Sequence, residues 1–266
     1  MKGGTGKTTV AANLGALLTQ DRDSNVLLVD FDPRNQIGLH FGMSMTDLGG
    51  LAQATLSGGG WAQALHYRLD RAPFLPFGHI EEEQRIQLEA LLRERPLLLP
   101  ERLADPALRE FDFALIDTAP GPSAYLSHVL PHADLIVVVL LADAASFATL
   151  PSLQAALLKH RPHKPNYQGV HFLINGMDES KKLSRDIHGA VSGQFGSAVL
   201  PFVIHHDQAV KEALAFQRPL VDQGPSSQAA ADFRQLAVWV REELAKLSGA
   251  PVPGRGEPHH ETRRDR

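Results

Sequence analysis

The first nine residues constrain this chain more than any other segment: Met1-Lys2-Gly3-Gly4-Thr5-Gly6-Lys7-Thr8-Thr9. Glycines at 3, 4 and 6 let a backbone curl tightly and present its N–H groups without β-carbon collisions. A lysine and two threonines follow, and residues 7–18 continue as an amphipathic helix. Clustered N–H donors, a cation and a helix N-terminus together suit a dense anion. The phosphates of a nucleotide are such an anion, and ATP with Mg²⁺ is the expected ligand. Gly3, Gly4, Thr5 and Gly6 wrap the β-phosphate, and Lys7 bridges the β- and γ-phosphates. The Thr8 hydroxyl meets the metal, while Thr9 and the helix start face the α-phosphate. A dinucleotide fingerprint is disfavoured, because its third glycine would fall at Thr9 and a lysine stands inside the run.

The rest of the chain supplies a fold to match. Apolar runs at 26–30, 72–77, 113–117, 135–141, 170–175 and 198–203 read as strands. Several are apolar at consecutive positions, the pattern of strands covered on both faces. Helical stretches intervene at 82–95, 125–130, 147–160, 183–195 and 207–216. A last helix at 226–247 carries Phe233, Leu236, Val240 and Leu244 as a buried stripe. Such alternation predicts an α/β fold, one doubly wound and mainly parallel sheet with helices on both faces. Residues 1–248 form one domain in this reading. Residues 44–60 read as a mobile Gly-rich loop with one short helix, and 249–266 as a disordered polar tail.

Composition closes off other classes. The 266 residues carry a net charge of −4 and no cysteine. Disulfides, thiolate chemistry and Cys-ligated zinc are therefore excluded, which suits a reducing cytoplasm. No run approaches the roughly 18 apolar residues of a membrane span. Thirteen histidines invite a metal reading. Yet Pro131 interrupts the His128–His132 pair and no glutamate completes a zinc pattern. Gly121-Pro122-Ser123 lacks the G-x-S-x-G elbow of a serine hydrolase.

Two departures make the loop more specific. Met1 stands where the general motif has its first glycine, and a second lysine, Lys2, stands beside it. Lys-Gly-Gly-x-Gly-Lys-Thr-Thr resembles the deviant Walker A motif of the MinD/ParA family of ATPases. The resemblance implies that Lys2 reaches a partner's nucleotide across a homodimer while Lys7 acts in cis. It implies that Asp32, in Val-Asp-Phe-Asp-Pro, orients the attacking water and that Asp30 supports the Mg²⁺ hydration shell. Phe113 to Gly121 resembles Walker B plus a switch, with Asp117 holding the metal through water. Asn175 matches the family's adenine-side asparagine, with a buried turn residue as the alternative. Residues 200–207, including Pro201, His205, His206 and Asp207, resemble more loosely the loop that covers the base.

Within the family, Asp117-Thr-Ala-Pro-Gly-Pro-Ser123, residues 172–187 and residues 200–221 are most similar to the branch from bacterial cellulose-synthase operons. This implies an ATP switch that organises cellulose secretion, with components of the synthase complex as partners. It would act in the cytoplasm and reach the inner membrane or cell pole through them. A plasmid-partitioning ATPase that binds DNA is the rival, with Lys159, Arg161 and Lys164, or Lys181, Lys182 and Arg185, as candidate patches. A non-hydrolysing scaffold is the third reading. A phosphate loop of this kind normally follows a buried strand. None precedes Met1 here, so the expectation is a sheet lacking its first strand and a natural start further upstream.

Overall fold

The structure, a computed structural model, describes residues 3–20, 25–68, 71–222 and 227–248. Gly6, in the left-handed region at φ 87°, turns the opening loop into α1 (Lys7–Thr19). This helix is buried from Val10 to Leu18 because its small residues let it lie flat on the sheet. Gly15 marks the closest approach: a β-carbon there would sit 2.4 Å from a Leu28 methyl. β1 (Val26–Phe31) follows, buried at every position. After it come α2 (Ile37–His40), α3 (Leu51–Leu56), β2 (His66–Arg68), β3 (Arg71–Leu75), α4 (Glu82–Glu94) and α5 (Leu98–Leu103). The second half runs β4 (Phe113–Thr118), α6 (Ala124–Val129), β5 (Ile136–Leu141), α7 (Ala144–Ala148) and α8 (Leu150–Lys159). It ends β6 (Val170–Met177), α9 (Lys182–Phe195), β7 (Val199–His205), α10 (Gln208–Ala215) and α11 (Gln228–Ser248).

The strands form two sheets, ordered β2-β3-β1-β4 and β5-β6-β7. Every pair is parallel except β2–β3. Helices cover both faces. On one side α1 and α11 bury Leu28, Phe74, Val139, Leu173 and Ile204. On the other, residues of α3 to α6 pack on Leu27, Val29, Phe31 and Leu75. Further along that face α8 and α9 cover Val138, Leu140, Phe172 and Ile174. The stripe expected on the last helix is there: Phe233, Leu236 and Val240 are buried, with Leu244 packed beside them.

Where a single sheet would be continuous, β4 and β5 instead line opposite sides of an apolar cavity of about 640 Å³. Val10 and Leu14 of α1, Leu236 and Val240 of α11, and Leu126 and Leu153 from the far side complete its walls. Among the described residues no strand pairs with both β4 and β5, and this parts the expected sheet in two.

Local differences from the sequence reading have plain causes. The helix expected over 147–160 breaks at Thr149, because Pro151 belongs in a first helical turn and Leu150 starts a new one. Within residues 44–60, residues 44–49 are exposed, whereas 50–56, with the expected short helix, are anchored. Leu51 and Ala52 are buried, and Trp61 donates to the Thr55 hydroxyl at 2.8 Å. His128 is a core histidine: its Nε2 accepts from the Leu99 N–H at 3.3 Å, so Nδ1 donates to the Leu92 carbonyl at 3.1 Å. Lys2 and residues 249–266 lie outside the described residues.

Candidate nucleotide site

The carboxyl ends of β1 and β4 meet the start of α1, the place where open α/β folds bind ligands. Asp30 and Asp117 are register partners on these two strands. The Thr8 hydroxyl donates to the Asp117 carboxylate at 2.5 Å, which fixes the loop above the strand end. Asp117 is pushed up to about 6, by burial first, against the opposing pull of the Thr8 hydrogen bond and of Lys7. Lys7 is itself lowered by burial, with Arg34 adding to the effect and Asp117 and Asp32 resisting it. A half-buried lysine and a buried carboxylate thus feel each other's charge at the end of the Gly3–Gly6 loop.

Asp30 does different work. Its Oδ1 accepts from the Asp32 N–H at 3.1 Å and its Oδ2 from the Ile37 N–H at 2.8 Å. Burial, and secondarily Asp117, push its carboxyl up to about 8 despite those bonds. Asp30 therefore holds the turn after β1 in place. Asp32, on that turn, is clasped by Arg34: Nε lies 3.1 and 3.0 Å from its two oxygens and Nη2 lies 2.5 Å away. The sequence reading left Arg34 out. Its signal was a cation two residues beyond an acid in Asp-Pro-Arg-Asn, a turn short enough to fold the pair together.

The loop itself fits a phosphate-bearing ligand. Gly4 at φ 78° and Gly6 at φ 87° give the curl that the glycines were expected to supply. The Thr5 hydroxyl is buried with no hydrogen-bond partner, an orphan acceptor and donor inside the cradle. Thr8 is hydrogen-bonded to Asp117, and Lys7 interacts with the Asp117 charge. Among the described residues no group of three His, Cys, Asp or Glu side chains forms a ready metal cage. A magnesium ion there would take ligands from Thr8 and Asp117 and the remainder from phosphate and water, the usual habit of that ion.

The residues expected beside the base divide. Asn175, two residues before the end of β6, donates from Nδ2 to the Thr5 carbonyl at 2.8 Å. It also fills the space that a β-carbon on Gly6 would need, 2.3 Å away. The asparagine braces the phosphate loop against β6. His205 closes β7, with Nδ1 2.8 Å from Asp232 and Nε2 3.6 Å from Glu179. Burial lowers its imidazole, but the bonds to Asp232 and Glu179 outweigh this and leave it raised. Asp207 caps α10 through Ala209 at 2.9 Å and takes the Ser227 hydroxyl at 2.6 Å. His206 is exposed. Pro201 is exposed in the body of β7, four residues before its carboxyl end. The structure does not bring it to the loop.

The basic patches are partly neutralised. Lys164 pairs with Asp134 at 2.9 Å, Lys181 pairs with Asp178 at 2.9 Å, and Arg185 bonds the Glu179 carbonyl. No helix among the described residues is long and apolar enough to cross a membrane.

Comparison with known proteins agrees with this geometry. The family model described as cellulose biosynthesis protein BcsQ matches residues 1–240. The chain is 29% identical over 261 residues to the cellulose biosynthesis protein BcsQ of Escherichia coli K12, covering 95% of each. It is 28% identical over 259 residues to the chromosome-partitioning ATPase Soj of Thermus thermophilus, covering 94% of each. Among solved structures, the septum site-determining protein MinD of Pyrococcus horikoshii, complexed with Mg-ADP, superposes with a TM-score of 0.72. That match is 22% identical and covers 92% of this chain and 95% of the other.

Proposed function

Because this chain belongs to the BcsQ family of cellulose biosynthesis proteins, we propose that it binds Mg·ATP, hydrolyses it slowly, and dimerises across the nucleotide as a switch in cellulose secretion. One observation carries the reading: Thr8 and Asp117 meet at 2.5 Å beside Lys7, directly under a glycine loop that holds an orphan hydroxyl. Bound magnesium supplies charge neutralisation for the phosphates. The chain's own residues do the rest. Backbone N–H groups of Gly3 to Gly6 and the N-terminus of α1 receive phosphate oxygens, and Lys7 adds a cation at short range. Thr8 and Asp117 hold the metal, and Asp32 orients water at the outer end of the phosphate chain. Lys2 reaches the partner's nucleotide, so the triphosphate joins two copies and hydrolysis lets them part.

One P-loop domain over residues 1–248 carries this activity in the cytoplasm, and components of the cellulose synthase complex read the state. Asn175 and the turn at His205 to Asp207 border the base. The test is light scattering on the full-length chain carrying Asp32→Ala. With Mg·ATP the mass should double and stay doubled; an unchanged mass with ATP bound overturns the dimer switch. The likeness to Soj favours a second reading, a partitioning ATPase. Salt-sensitive, ATP-dependent retention on nonspecific duplex DNA supports that alternative.

A further inference from the structure

Arg34 is the unabsorbed feature of this site. It sits in a turn that leaves it little freedom. Asn35 adopts the left-handed region at φ 51° and donates its N–H to the Asp32 carbonyl at 2.9 Å, closing the turn over Pro33 and Arg34. The Arg34 N–H itself donates to Asp32 Oδ1 at 3.0 Å. Two of the three guanidinium nitrogens, Nε and Nη2, then clasp the Asp32 carboxylate. The carboxylate side chain is 3% exposed, whereas that of Arg34 is 40% exposed. The third nitrogen, Nη1, points the other way. It lies 4.0 Å from where a β-carbon on Gly3 would stand, and among the described residues it makes no hydrogen bond.

The direction matters because the loop has polarity. The start of α1 faces the α-phosphate and Lys7 reaches the β- and γ-phosphates, so the Gly3 side belongs to the outermost phosphate. An ionised Asp32 near that phosphate is repelled by it, and the repulsion must be offset for both to stay. A guanidinium is suited to the task. Its planar fork can hold a carboxylate on one edge and a phosphate oxygen on the other, which a lysine ammonium cannot do with fixed geometry.

We propose that Arg34 is a terminal-phosphate sensor: Nε and Nη2 hold Asp32 while Nη1, beside Gly3, binds the outermost phosphate of a nucleoside triphosphate. The inference rests on the nucleotide reading above and adds to it a residue that tells triphosphate from diphosphate. Asp32 is placed next to the terminal phosphate only while Arg34 bridges the two. Loss of that phosphate frees Nη1 and leaves the Asp32 clasp intact.

The experiment is calorimetric titration of full-length wild-type, Arg34→Ala and Arg34→Lys chains with Mg·ADP and with a non-hydrolysable Mg·ATP analogue. In Arg34→Ala, analogue affinity should fall about tenfold, the size expected for one charge-assisted hydrogen bond, with ADP affinity within about twofold. Arg34→Lys should recover part of the analogue affinity, and it keeps the test open should the alanine variant fold poorly. The Arg34 Nε–H resonance of the wild type, under selective arginine labelling, should shift with the analogue and not with ADP. Equal losses for both nucleotides, or no loss for either, overturn the sensor and leave nucleotide binding standing. A wild-type chain that binds neither nucleotide overturns both.

Discussion

β1 and β4 are neighbours of equal length, both apolar, both ending near an aspartate, and paired residue for residue from Val26↔Phe113 to Phe31↔Thr118. Their fates differ. β1 is buried at all six positions, flanked by β3 and β4 and pressed by α1. β4 is fully buried only at Asp117, and its far edge lines the apolar cavity. Strand-forming character is a property of the segment, but burial is a property of what lies beside it. Two aspartates on adjacent strands consequently divide the work: Asp30 ties down backbone, whereas Asp117 faces the loop.

Side-chain truncation should separate the two strands by the widest margin. Leu28 and Leu115 are register partners, but Leu28 is wholly buried against α1 and Leu115 is half-buried. In denaturant unfolding, Leu28→Ala should cost about 3–5 kcal/mol and Leu115→Ala about 1. Equal costs would show that β4 is as tightly packed as β1.

The acids give the next largest contrast. The Asp117 carboxyl is raised in the folded state to about 6 from its ordinary 3.8, by burial above all. The folded state therefore loses stability as pH climbs through that window, because the unfolded chain releases its proton first. Asp117→Asn, which still accepts from Thr8, should stabilise the nucleotide-free protein by about 3 kcal/mol above pH 6 and by almost nothing below pH 4. Asp30, raised further to about 8 by burial first, carries the same linkage over a wider window. Asp30→Asn should therefore also stabilise the nucleotide-free protein at neutral pH, but by less than that shift alone implies, because one of its two backbone N–H partners would face an amide N–H₂, a loss of about 1–3 kcal/mol. Thermal melts of both variants across pH 4–8 check the pair of expectations.

Hydrogen exchange sharpens the picture at the smallest scale. Amides of β1 bond to strands on both sides and should exchange only by global opening. Amides of α10, whose residues are mostly exposed, should exchange through local opening and much sooner.

Much of this was legible in the residues. Gly6, Lys7 and Thr8 have few uses in that order other than at a phosphate. The 3.6-residue spacing of Phe233, Leu236 and Val240 announced a buried helix face. Asp30 and Asp117 followed apolar runs, so their place at strand ends was clear. Their division of labour was not, since it depends on which N–H groups the Asp32 and Ile37 turn delivers. β2 was missed because three residues are too short for a period to register. α5 was hidden by Pro100, tolerable only because the proline lies in its first turns. Asn175 on the Thr5 carbonyl is a contact across 170 residues, which local patterning cannot anticipate. The Arg34–Asp32 clasp was within reach of local reasoning, since both residues share one tight turn.

We propose the Gly3–Thr9 loop, completed by Asp117, as a pocket for magnesium and a nucleoside triphosphate. Titrating Mg·ATP into the full-length chain in a calorimeter tests it directly. Saturable binding of one nucleotide per chain is expected, abolished by Lys7→Ala and lost together with the metal dependence in Asp117→Asn. Absence of binding heat in a folded wild-type protein, or undiminished binding in folded Lys7→Ala, would contradict it.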